Sequence, residues 1–245
     1  MTVTYHFSSE QLILSCPLPK SMFSHKSEHS LTIIASKVEP LSAFLKRNKK
    51  HLEYNVMEKL IETIGRQLHH LELDNKGIAG FNLDDITVFY DITDTRDDDD
   101  DDTTCHTAHD TTADASIIHF AITNEDKIHD IDDEHQMTII APYQKEYTTI
   151  AATTTTTTKN IAFHSPEFKE FISKKTLPYT LHFKSGYYSF GLLCMYCYIS
   201  RSARPPFQKD HDHDEILSSI INTKIYWFLK RVLHENPSER RYICV

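Results

Sequence analysis

The chain has 245 residues, of which 40% are hydrophobic, enough for one domain with a packed core. Its formal net charge of −9 is local: 16 of the 35 acidic residues and only two of the 26 basic ones lie between Asp91 and Glu134, and the other 19 acidic and 24 basic residues leave a balance of about +5. That distribution argues against nucleic acid as a partner of the acidic segment; five scattered cysteines do not make a disulfide framework, and five glycines are few for a nucleotide-binding enzyme.

Residues 1–30 carry little pattern and are expected to be poorly defined. The β-branched run from Leu31 to Val38 predicts a strand, stopped by Pro40. Ser42 is placed to cap a short helix ending at Arg47. From Tyr54, apolar residues at Val56, Leu60, Ile61, Ile64, Leu68 and Leu71 recur every three or four positions, which predicts an amphipathic helix ending near Asn75-Lys76-Gly77. Ile86 to Tyr90 and Ser116 to Ile122 read as strands. Between them lies an acidic loop insertion, 91–114, in which the adjacent carboxylates Asp97 to Asp102 repel one another and stay solvated. The low-complexity tract Thr153 to Thr158 falls in a second expected loop, 123–164. Tyr187 to Ile199 is apolar all round and predicts a buried helix, too short to span a bilayer. Glu215 to Ile221 and Lys224 to Leu233 read as further helices.

Three clusters invite a chemical reading and favour a plain one. Asp210-His211-Asp212-His213-Asp214 could bind zinc or nickel but reads as a solvated loop, since ligands need fixed geometry and supporting hydrogen bonds. Cys194 and Cys197 have zinc or redox spacing, but they fall inside the expected buried helix with no second cysteine pair, so core packing is the reading. The acidic run lacks the glycine and ligand spacing of a calcium loop.

Four pieces in order carry a resemblance: Ser165-Pro166-Glu167; Ser185-Gly186-Tyr187-Tyr188-Ser189-Phe190-Gly191; Arg204-Pro205-Pro206-Phe207; and Asn236-Pro237-Ser238-Glu239-Arg240. Together with the order of elements from Leu31 to Arg240, they resemble the C-lobe of a protein kinase. The fold so implied is α+β, mostly helical: a kinase-like C-lobe over 31–245 with a remnant of the N-lobe. Leu31 to Val38 looks like the last N-lobe strand, and 123–164 like an activation-segment loop. The resemblance implies that Glu167 and Arg240 form the structural ion pair of the C-lobe.

The catalytic positions depart from the family pattern. Set against His-Arg-Asp-Leu-x-x-x-Asn, the chain has Gly80 at the proton-accepting aspartate and Asp85 at the metal-ligating asparagine. Glycine has no group to orient a nucleophile or take its proton. Asp85 could still ligate magnesium through carboxylate oxygen. The segment Ile117-Ile118-His119-Phe120-Ala121 is similar to the Asp-Phe-Gly region with His119 at the other metal ligand, where an imidazole suits magnesium poorly; His119 also reads as an ordinary core histidine. No Gly-x-Gly-x-x-Gly and no Val-Ala-Ile-Lys precede Leu31.

These departures imply a catalytically inactive binding or scaffold module with a protein partner and no cofactor. The charge distribution, the scattered odd cysteines and the short apolar run lead to the expectation of no nucleic acid or membrane partner and an intracellular, cytoplasmic location. Two alternatives stay open. One is an active protein kinase represented by an N-terminally truncated chain, which would need ATP and magnesium. The other is an unrelated α-rich interaction protein.

Overall fold

The computed structural model describes residues 4–8, 11–18, 29–35, 37–48, 51–90, 118–140, 162–174, 177–199 and 217–242. The acidic run, the threonine tract, Arg204 to Phe207 and the His/Asp cluster lie outside the described residues, as do the first residues of the helix expected from Glu215. The described residues form five α-helices and several small antiparallel sheets, an α+β fold.

The helices follow the apolar pattern. Helix α1 is Leu41–Arg47. It starts from Pro40 without a side-chain cap, and Ser42, the expected cap, lies within it and donates its hydroxyl to Asp84. Helix α2, Tyr54–Leu73, buries Met57, Leu60, Ile61, Ile64, Gly65, Leu68 and Leu71 along one stripe. It stops where Asn75, the first residue of the expected Asn75-Lys76-Gly77 end, takes a left-handed conformation (φ 54°). Helix α3 is Pro166–Lys174. Helix α4, Ser185–Ile199, buries 12 of its 15 residues, the outcome expected of a helix with no polar face. Helix α5, Lys224–Val232, is capped by the Thr223 hydroxyl and turns Ile225, Phe228, Leu229 and Val232 inward. Of the helix expected from Glu215 to Ile221, the described residues begin with Leu217, which is helical, and the 3-10 turn Ser218–Ile220 follows it. Among the described residues, no helix is long and apolar enough to cross a membrane.

Strands β1 (Thr4–Ser8), β2 (Gln11–Leu18) and β3 (His29–Ala35) pair in sequence order as an antiparallel sheet, in a stretch where the sequence shows little pattern. Tyr5-His6-Phe7 and Leu12-Ile13-Leu14 are β-formers, although too few to show a period. The strand expected at Leu31 to Val38 is split: β3 pairs with β2, whereas β4 (Lys37–Pro40) pairs with β7 (Ile86–Tyr90). Strand β7 also pairs with β8 (His119–Ile122). Three two-stranded ladders complete the core: β5 (Lys76–Ile78) with β9 (Ile128–Asp130), β6 (Gly80–Asn82) with β11 (Ala162–His164), and β10 (Gln136–Ile139) with β12 (Tyr179–His182). Strands β9, β10 and β11 fall inside 123–164, which is therefore not a loop throughout.

Helix α4 is the hub, packing on α2, α5, β5, β6 and β11. Its N-terminus approaches the β5 backbone so closely that a Cβ on Gly186 would lie 2.2 Å from the Ile78 carbonyl oxygen. Backbone on both sides cannot yield as a flexible side chain would. Gly186→Ala is therefore expected to cost about 1–3 kcal/mol of stability, read as a lower urea midpoint at unchanged slope.

Candidate functional site

The segment from Gly80 to Asp85 is β6 followed by a 3-10 turn, Leu83–Asp85. Asp85 is its centre of charge, and it is buried. Its Oδ2 accepts from the Asn82 backbone N–H at 2.6 Å and pairs with Lys127 Nζ at 2.7 Å; its Oδ1 accepts from Asn124 Nδ2 at 2.8 Å. The bond from the Asn82 N–H ties the carboxylate back to the residue that opens the turn. Both charged side chains of the Asp85–Lys127 pair are 5% exposed. The pair spans 42 residues and fixes the start of β9 against the turn.

Gly80 is buried opposite His164 in the β6–β11 ladder. A Cβ there would sit 2.7 Å from His164 Nδ1 and 3.2 Å from both the Phe163 carbonyl oxygen and the Phe168 ring. Position 80 is thus filled by its neighbours rather than opened to a cleft. Burial, and then the nearby charges of Lys127 and Lys169, lower the His164 pKa to about 3, so the ring is neutral in the folded chain.

His119 lies elsewhere. In the β7–β8 register it pairs with Phe89, whereas Ile122 pairs with Ile86, next to Asp85. His119 is therefore at the far end of the strand, where Lys59 and Glu62 of α2 are its charged neighbours, and burial lowers its pKa. The structure does not bring His119 together with Asp85 or Gly80. The residues set beside Asp85 are Thr123, whose N–H donates to the Asp85 carbonyl at 2.9 Å, and Asn124.

Glu167 and Arg240 are in contact across 73 residues. Arg240 Nη1 donates to Glu167 Oε1, and Nη2 donates to Oε2 at 3.0 Å, a two-pronged pair. Ser185 Oγ donates to Oε1 at 2.6 Å. The remaining guanidinium donors reach the carbonyls of His234 (2.8 Å), Glu235 (3.0 Å) and Lys184 (3.3 Å). Arg240 also lies over the Tyr188 ring, 4.7 Å from its centroid. Burial alone would raise the Glu167 pKa, but the hydrogen bonds from Arg240 and Ser185 together outweigh it and hold the carboxyl below its ordinary value. The cluster joins the first turn of α3, the N-terminus of α4 and the segment after α5.

Cys194 and Cys197 are buried in α4, and burial raises the pKa of both. They are core residues, inert as thiols. Among the described residues no group of three or more His, Cys, Asp or Glu side chains could hold a metal ion. A groove between α2 and α5 is lined by Glu58, Ile61, Glu62, Lys224, Ile225 and Phe228, none of them a residue that the motifs singled out.

Sequence reasoning missed Lys127, Asn124, His164, Ser185 and Tyr188 as members of these clusters. For Lys127 the sequence shows one of only two basic residues between Asp91 and Glu134, but Asp85 lies outside that segment and nothing in the pattern points to it. Compared with known proteins, the chain matches no family model and no curated protein.

Proposed function

We propose that the chain is a protein-kinase-like domain without phosphotransfer activity, a binding or scaffold module for a protein partner inside the cell. The observation that carries this reading is a contrast between two clusters. The buried Glu167–Arg240 pair, stacked on Tyr188 and held by Ser185, is complete and joins the motif residues on which the resemblance rests. At the catalytic positions, Gly80 offers no carboxylate and has no room for one. Ladder pairing favours the same reading: α2 leads into β5, the turn at Asp85 leads into β7, and β7 returns through β8 and β9.

The magnesium that the resemblance implies does not fit the residues present. Every contact that Asp85 receives through its carboxylate comes from a donor, one of them an ammonium, so its charge is already neutralised. His119, the other implied ligand position, stands at the opposite end of β8.

The test is purified chain with ATP and either magnesium or manganese. We expect no transfer of the terminal phosphate to protein substrates or to the chain itself. A titration of melting temperature with ATP, with and without metal, is expected to stay flat, because a ligand that does not bind the native state cannot stabilise it. Phosphate transfer abolished by Asp85→Asn would overturn the proposal in favour of an active kinase.

A further inference from the structure

We infer that Lys127 is an internal cation: its ammonium stands at Asp85 in place of a divalent metal, so the native chain holds this turn together without an ion and would accept one there only after losing that charge. The inference rests on the kinase-like reading in one respect, that Asp85 holds a metal-ligand position.

The geometry supports the substitution. Lys127 Nζ lies 2.7 Å from Asp85 Oδ2 with both side chains 5% exposed, so the pair is shielded from water and from competing ions. A buried carboxylate needs a positive or hydrogen-bonding neighbour to remain ionised. Here Asn124 Nδ2 and the Asn82 N–H supply two hydrogen bonds, and the ammonium supplies the charge. Lys127 is the last residue of the 3-10 turn Glu125–Lys127 that follows β8, and its neighbour Ile128 opens β9, which pairs with β5. The same cation therefore fastens the ladder on one side of the turn to the turn itself. A metal would serve the same end with oxygen ligands, one carboxylate and amide oxygens with retained waters, but it would have to be drawn from solution.

The experiment uses the full chain, stripped with EDTA and titrated with manganese alone, with bound ion read from loss of the free-ion EPR signal and stability read from melting temperature. Three proteins are compared: wild type, Lys127→Ala, and Asp85→Asn with Lys127→Ala. Wild type is expected to show no manganese-dependent change. Lys127→Ala is expected to melt about 10 °C lower in EDTA, since removing one partner leaves an uncompensated buried charge. Manganese should bind this variant at one saturable site and recover most of the loss. The double variant should ignore manganese, which places the ion at Asp85. If Lys127→Ala does not fold in EDTA, folding on addition of manganese is the readout, again absent in the double variant. Lys127→Ala that binds no manganese overturns the inference, as does wild type that binds manganese through Asp85. Phosphate transfer by the wild-type chain would instead strike at the inactive-domain reading, so the two failures are told apart.

Discussion

Replacing Arg240 with alanine is expected to cost the fold about 3–5 kcal/mol and to lower its melting temperature by about 10 °C. Arg240 is completely buried, and all five of its N–H donors are engaged: two on Glu167, three on the carbonyls of Lys184, His234 and Glu235. Alanine strands those carbonyls and leaves Glu167 with Ser185 as its hydroxyl donor. Lysine should rescue little, because three donors at a point cannot reproduce a fork or lie flat over Tyr188. Glu167→Gln keeps the shape and loses the charge, and should cost less, about 1–3 kcal/mol. The double change of Glu167 and Arg240 to alanine should cost clearly less than the sum of the two single changes, the mark of one coupled unit. Urea denaturation of the four proteins measures this; additive losses would mean that the pair is not what joins α3, α4 and the C-terminal segment. The pair also has an acid limit. The folded Glu167 pKa lies below its ordinary 4.5, so the unfolded chain protonates first as pH falls, and the stability present above about pH 4.5 is lost below it.

The elements that could be read from the sequence are those whose signal is local. Helix α2 announced itself because Leu60, Ile61, Ile64, Leu68 and Leu71 keep the helical period for several turns, and α4 because it has no polar face. Strands β5, β6, β9 and β11 have three residues each, too short for alternation to show, and each is defined by a partner far along the chain. The Asp-Phe-Gly-like placing of His119 failed to meet Asp85 for a related reason. One chain fixes the strand, but only the register of β7 on β8 says which end of it faces the turn. Lys127 and Asp85 are 42 residues apart with no shared motif, so no spacing rule could pair them. Glu167 and Arg240 are farther apart, yet they could be paired in advance, because each sits in a short motif that a known family places together. The ion pair was thus legible by resemblance alone and the lysine by neither route, although both obey the same rule that buried charges need partners.

Acidification from pH 6.5 to pH 5 is expected to cost about 2 kcal/mol through His164 alone. The ring is almost wholly buried between β6 and α3, edge-on to Phe168 at 4.7 Å, and its proximity to Gly80 depends on the missing Cβ there. Its folded pKa of about 3 lies well below the ordinary 6.5. The unfolded chain therefore takes up the proton first. The contribution is complete above pH 6.5, shrinks as pH falls through the interval down to about 3, and reaches roughly 5 kcal/mol of lost stability at its lower end. His119, His129 and His182 are shifted in the same direction but are only about half-buried, so they add a shallower slope over the same range. His164→Phe isolates the one ring. It keeps an aromatic of similar size among Phe163, Phe168 and Gly80, and it cannot bind a proton. Stability of the variant at pH 7.5 should lie within about 1.5 kcal/mol of wild type, and its loss between pH 6.5 and pH 5 should be smaller by about 2 kcal/mol. Denaturation midpoints across that range decide the matter: equal pH slopes in the two proteins would mean that His164 meets solvent or an acceptor before the fold opens.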